Sequence, residues 1–142
     1  KRPKEQVKSF SRACVEAVKM MEKEDVDISV VGNTQSPCFP EELLEYTKTA
    51  IQKSCRKRPM KVNFLTNYGW EWDMKNGWAS RTIPRIDMVI RWGGMCRLSG
   101  FLPIQTVYAD FYIVKDLWPD FREEQFEDAL KWYQKQDITL GG

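Results

Sequence analysis

The sequence predicts an α/β fold, a mostly parallel sheet with helices on both faces, and three observations carry that prediction. Stretches with apolar residues every three or four positions alternate along the chain with short β-branched runs. The run at 86–90 is nearly all apolar instead of alternating, as a strand covered on both faces must be. Proline, glycine and acidic residues punctuate the boundaries at the spacing of βα units.

Each element follows from its own residues. Over 4–24, Val7, Phe10, Cys14, Ala17, Val18 and Met21 fall on one face while Lys, Glu and Arg fill the other, so the segment reads as an amphipathic helix. Residues 27–31 form a β-branched run closed by Gly32-Asn33, a strand and turn. Pro40-Glu41-Glu42 places proline and acids in the first turn of a second helix. Its face is Leu43, Leu44, Thr47, Ala50 and Ile51, and it ends near Arg56-Lys57-Arg58-Pro59. Strands are expected at 60–66, 86–90 and 110–114. Asp120, with Glu123 three residues on, resembles a capping box for a last helix whose inner face is Phe126, Leu130 and Tyr133.

With 142 residues, 42% of them hydrophobic, the chain is expected to form a single domain over 1–142 that buries roughly two thirds of its unfolded surface. Lys and Arg number 22 against 20 Asp and Glu, a balance that argues for no nucleic-acid partner. The six tryptophans, without a basic stripe between them, read as packing residues and not as a stacking platform. No apolar run approaches a membrane span. The four cysteines (Cys14, Cys38, Cys55, Cys96) are scattered, and there is no histidine. Zinc sites of the usual kind and histidine-based catalysis are thereby excluded, and the thiols are expected to be reduced and buried, as in a cytoplasmic protein.

Chemistry must therefore run on carboxylates, guanidinium groups, hydroxyls or a hard metal ion. Ligands of open parallel sheets bind beyond the carboxyl ends of the strands. There the third predicted strand runs into Arg91-Trp92-Gly93-Gly94-Met95-Cys96-Arg97-Leu98-Ser99-Gly100. Arginine forks match phosphate oxygens, and glycines let backbone N–H groups approach an anion, so the segment reads either as a phosphate site or as a surface turn with two solvated arginines. Asp110, in Tyr108-Ala109-Asp110-Phe111-Tyr112, is either paired with an arginine or available to a divalent cation.

These residues carry a resemblance. Ile90-Arg91-Trp92-Gly93-Gly94, Arg97-Leu98-Ser99-Gly100-Phe101-Leu102, Tyr108-Ala109-Asp110, Leu117-Trp118-Pro119-Asp120-Phe121 and Leu140-Gly141-Gly142 resemble the carboxyl-terminal signature of the cis-prenyltransferases, the undecaprenyl diphosphate synthase family. Asn67-Tyr68-Gly69 with Trp72-Asp73 resembles the family's Asn-Tyr-Gly-Gly-Arg-Trp-Asp block, and Lys1-Arg2-Pro3 the end of its Ser-x-Glu-Asn-Trp-x-Arg-Pro block. The resemblance implies condensation of isopentenyl diphosphate with an allylic diphosphate, with Mg²⁺, to give a Z-polyprenyl diphosphate. Carried over by position, Arg91, Arg97 and Ser99 hold isopentenyl diphosphate, Arg2 contacts substrate diphosphate, and Asp110 stands where the family has a metal-associated Glu. The helix bearing Phe10, Cys14, Val18 and Met21 is then either a wall of the family's apolar tunnel or ordinary core.

The resemblance also implies a homodimer, or a heteromer with a related subunit, touching a membrane only through its lipid product. The departures are equally specific. The family's Asp-Gly-Asn-x-Arg-Trp block, which supplies its essential aspartate, has no counterpart in these residues, so no catalytic residue is assigned and the fold is expected to be incomplete at its amino terminus. Met95 replaces a Glu, Thr139 replaces an Arg, and about a dozen residues separate Asp73 from Asp87 where the family carries a longer helical segment. Two alternatives stay open: a non-catalytic partner subunit of a two-component enzyme, and a branch making irregular, lavandulyl-type diphosphates. An exposed apolar strand edge would make the isolated chain associate.

Overall fold

The computed structural model describes residues 4–47 and 60–137. Its elements are α1 (Lys4–Met21), β1 (Val26–Val31), a 3-10 turn (Glu41–Leu43), β2 (Met60–Leu65), α2 (Trp70–Lys75), β3 (Met88–Trp92), β4 (Asp110–Val114), a second 3-10 turn (Trp118–Asp120) and α3 (Glu123–Tyr133). The chain divides into two compact units, Lys1–Ser80 and Arg81–Gly142, and the described strands form one two-stranded parallel sheet in each.

In the first unit β1 and β2 pair in register from Val26 opposite Met60 to Val31 opposite Leu65. Parallel neighbours need a long crossover, and the stretch of sequence between Val31 and Met60 is long enough for one. The second helix expected from Pro40 is seen as the 3-10 turn and the helical residues 44–47. Its Ala50 and Ile51, the basic run at 56–58 and Cys55 lie outside the described residues. Against β1, α1 buries Val18 completely, in a cluster with Val30, Phe39 and Leu43, and Cys14, Val15, Ile28, Tyr46 and Phe64 pack around it. Each such side chain contributes roughly 1.5–3 kcal/mol of hydrophobic stabilisation. Val18 and Cys14 thus belong to the core, whereas Phe10, higher on the same predicted stripe, is exposed.

The strand ends of this unit meet closely. Gly32 lies so near the chain after β2 that a Cβ there would stand 1.7 Å from the Thr66 carbonyl oxygen. Asn33 N–H donates to the Asn67 carbonyl at 3.2 Å, and Asn67 Nδ2 donates back to the Asn33 carbonyl at 3.1 Å.

In the second unit β3 and β4 pair from Met88 opposite Asp110 to Trp92 opposite Val114, and α3 packs on both. Several expectations need correction here. The third strand starts and ends two residues later than the apolar run suggested, because Ile86 donates to the Gln105 carbonyl outside the ladder. The last helix begins at Glu123, so Asp120 sits in the preceding 3-10 turn and Arg122 is the N-cap. Its buried residues are Gln125 and Ala129, while Phe126 and Leu130 are exposed, since Gln125 is drawn inward by polar partners. Cys38 and Cys96 are exposed and Cys14 half-buried, all with free thiols, so burial is not what keeps them unpaired. No described helix is long and apolar enough to cross a membrane.

Candidate functional site

Both strands of a parallel pair end on the same side, and in the second unit that side carries the Arg91–Gly100 segment. Arg91 is half-buried on β3, opposite Ile113, with its guanidinium turned into the following loop. One terminal nitrogen, Nη1, donates to the carbonyl of Arg97 and, at 3.2 Å, to Ser99 Oγ. The structure thus brings together three of the predicted residues through a single guanidinium. Arg97 itself is exposed, and neither arginine is ion-paired among the described residues.

The backbone of this loop is held in sparsely populated conformations. Ser99 has φ 53° and Leu102 φ 40°, with Gly100 between them at φ 76°. A leucine in the left-handed region persists only where its surroundings enforce it. They do so here: Leu102 is buried, and its carbonyl accepts both the N–H (3.0 Å) and the hydroxyl (2.8 Å) of Thr106. Phe101 N–H closes the turn onto the Leu98 carbonyl at 3.1 Å.

The Gly93-Gly94 turn plays a different part from the one expected of it. Gly93 N–H donates to the Asp116 carbonyl at 2.8 Å and Gly94 N–H to the Val114 carbonyl at 2.9 Å. Donors committed to β4 cannot cradle an anion, so the glycines serve the turn, with φ 96° and 69°, and phosphate binding falls to the side chains.

Asp110 stands elsewhere. It opens β4 at the amino end of the sheet, opposite Met88, three positions before the residue that faces Arg91. That is about 10 Å along the strand from the arginine cluster. Its N–H donates to the Asp87 carbonyl at 2.9 Å, and its half-buried carboxylate has no hydrogen bond or ion pair among the described residues. Asp87, the residue immediately before β3, is instead paired with Arg85 at 2.9 Å. Magnesium is commonly held by one or two carboxylates completed by phosphate oxygens and water, a role that an uncommitted carboxylate fits. No cluster of three acidic, cysteine or histidine groups occurs among the described residues to hold a metal alone. Arg2 lies outside the described residues.

In the first unit, the Asn67-Tyr68-Gly69 and Trp72-Asp73 blocks fold around one buried carboxylate. Asp73, 3% exposed, accepts from Ser80 N–H (2.8 Å), Ser80 Oγ (2.5 Å) and Tyr68 Oη (2.8 Å). Its own carbonyl takes Trp78 N–H at 3.0 Å, so the short helix α2 and the turn after it are wrapped on this residue. Asn67, with φ 52°, and the buried Thr66 hydroxyl, which has no hydrogen-bond partner among the described residues, stand at the carboxyl end of β2.

A second polar group escaped sequence reasoning altogether. Gln125 of α3 accepts the Trp92 indole N–H at 3.0 Å and donates to Asp116 Oδ2 at 2.7 Å. Trp92 is 33 positions away, and no periodicity relates two such residues.

A family model described as "Putative undecaprenyl diphosphate synthase" matches residues 75–141, the stretch that carries Arg91, Arg97, Ser99 and Asp110. A ditrans,polycis-undecaprenyl-diphosphate synthase ((2E,6E)-farnesyl-diphosphate specific) of Photorhabdus laumondii is 29% identical over 171 aligned positions, covering 99% of this chain and 66% of the relative. Its counterpart from Haemophilus influenzae is 26% identical and is covered to 71%. The aligned stretch exceeds the 142 residues of this chain, so the relatives carry residues that this chain lacks within it. A crystal structure described as a probable undecaprenyl diphosphate synthase from Campylobacter jejuni shares the fold, with TM-score 0.71, 21% identity and coverage of 99% of this chain and 77% of that one. The chain spans about two thirds of the length of the curated relatives it matches.

Proposed function

We propose, for a chain that is similar along its whole length to the cis-prenyltransferases, that it takes part in condensing isopentenyl diphosphate with an allylic diphosphate to give a Z-polyprenyl diphosphate. The observation that carries this reading is the Arg91 guanidinium, which gathers Ser99 and the Arg97 carbonyl at the carboxyl edge of the β3–β4 sheet. Arg91, Arg97 and Ser99 bind the diphosphate of isopentenyl diphosphate. Arg91 is pre-set by its bonds within the loop, while the exposed Arg97 supplies a guanidinium not yet committed. Arg2 contributes a further cation to substrate diphosphate.

Two diphosphates brought together repel, and the departing one gathers charge as the new carbon–carbon bond forms, so fixed cations lower both costs. Asp110 would hold Mg²⁺ together with diphosphate oxygens, and the ion would supply charge neutralisation at the leaving group. Named relatives that use farnesyl diphosphate support an allylic primer of that class. The exposed apolar side chains of Ile104, Val107 and Tyr108 support a dimer, and nothing in the site calls for a nucleic acid. The reading places the chain in the cytoplasm, with membrane contact through the lipid product.

The test is Arg97→Ala. Leaving a diphosphate oxygen without its cation should weaken isopentenyl diphosphate binding by on the order of 2 kcal/mol, about thirtyfold in Kd by calorimetry. An unchanged Kd would remove the loop from the substrate site.

A further inference from the structure

We propose that Gln125 is a positioning residue for the diphosphate-binding loop, acting through Trp92 and Asp116. The inference rests on the reading that Arg91, Arg97 and Ser99 bind isopentenyl diphosphate.

Gln125 is buried in the first turn of α3, and both ends of its amide are engaged. Oε1 accepts the indole N–H of Trp92 at 3.0 Å and the backbone N–H of Arg122 at 3.1 Å, while Nε2 donates to Asp116 Oδ2 at 2.7 Å. Indole and backbone N–H groups can only donate and a carboxylate can only accept, so the site demands one group that does both. A primary amide does so. A carboxylate would lose the donor, and an aliphatic side chain would lose everything.

What the amide joins explains why it matters. Trp92 is the residue between Arg91 and the Gly93-Gly94 turn. Asp116 is the residue whose carbonyl holds Gly93 N–H at 2.8 Å, and its carboxylate also takes the Arg122 guanidinium at 3.0 Å. The Trp92 ring lies edge-on to Trp118 (centroids 4.8 Å, 83°) and tilted on Phe121 (5.6 Å). One buried side chain therefore fastens the ends of β3 and β4 to α3, at the first peptide after Arg91. A small rotation of that peptide would swing the guanidinium that gathers Ser99 and the Arg97 carbonyl. Holding it before the ligand arrives removes an ordering cost from binding.

The experiment is calorimetric titration of isopentenyl diphosphate into the wild-type chain and into Gln125→Glu, the double variant Gln125→Glu with Asp116→Asn, Trp92→Phe and Arg97→Ala. Gln125→Glu sets two carboxylates against each other where an amide met a carboxylate, and Kd should rise on the order of tenfold. Adding Asp116→Asn restores a donor facing an acceptor and should recover most of that loss. Trp92→Phe keeps an aromatic ring but removes the N–H together with the second ring of the indole, so a rise of about threefold or more is expected even if Gln125→Glu fails to fold.

The Trp92 indole N–H resonance, assigned by its loss in Trp92→Phe, should move when the ligand saturates the wild type and stay still in Gln125→Glu. If Gln125→Glu and Trp92→Phe lower the unfolding temperature while Kd is unchanged in both and the resonance still responds in Gln125→Glu as in the wild type, the residue is merely structural and the proposal is overturned. Weakened binding in Arg97→Ala with none in Gln125→Glu or Trp92→Phe would overturn the positioning role alone. Wild-type affinity in Arg97→Ala, or no binding by the wild type, would overturn the site reading as well.

Discussion

Replacing Asp73 by alanine removes the acceptor of three hydrogen bonds in one cut. Its carboxylate is 3% exposed and Ser80 is fully buried, so water cannot take over the abandoned donors. Ser80 N–H is fixed by the backbone and is left unsatisfied, a cost of about 1–3 kcal/mol. The Ser80 hydroxyl can turn and recover part of its loss, and the half-buried Tyr68 hydroxyl can reach solvent. The expected total for Asp73→Ala is therefore about 3 kcal/mol. Asp73→Asn keeps one carbonyl oxygen for Ser80 N–H and presents an NH₂ group to hydroxyls that can accept, so about 1 kcal/mol should be lost. Urea unfolding, with m checked for constancy, measures both. A loss below about 0.5 kcal/mol for Asp73→Ala would refute the reasoning, and so would equal losses for the two variants. The first would mean that the donors find new partners; the second would mean that charge, not acceptor geometry, holds the turn.

Other expectations follow the same logic. Gly32→Ala drives a methyl group into the Thr66 carbonyl and should cost about 3 kcal/mol by forcing the β1 and β2 ends apart; a wild-type denaturation midpoint would show that the crossing is looser than described. Burial first, then the hydrogen bond to Glu22 and the charges of Glu22 and Glu45, push the Tyr46 phenol above its ordinary range. A tyrosine released by unfolding titrates near 10, so the unfolded chain loses that proton first and stability falls as pH rises above about 10. Tyr46→Phe should flatten that alkaline loss in a pH series of unfolding free energies, and parallel curves for variant and wild type would refute it. Asp110→Ala should raise the Mg²⁺ concentration needed for half-maximal turnover by about tenfold, whereas an unchanged requirement would remove Asp110 from the ligands of the ion.

Periodicity and residue type sufficed, from sequence alone, for α1, the strands β1, β2 and β4 and the α/β class, because hydrophobic spacing is a local property that burial must satisfy. That Arg91 and Ser99 share one loop at the end of β3 was legible too, since a strand followed by a turn needs only short-range reasoning. Tertiary structure decided what depends on distant partners. Gln125 points inward and Phe126 outward because Trp92 and Asp116 wait for an amide, against the helical apolar pattern. The Gly93 and Gly94 N–H groups are spent on the end of β4, which no inspection of the glycines could reveal. Asp110 lies at the opposite end of its strand from Arg91 because the register of β3 and β4 pairs it with Met88, and register is a property of two strands. A sequence states which groups a chain owns; which of them meet is set by pairing, packing and the obligation of every buried donor to find an acceptor.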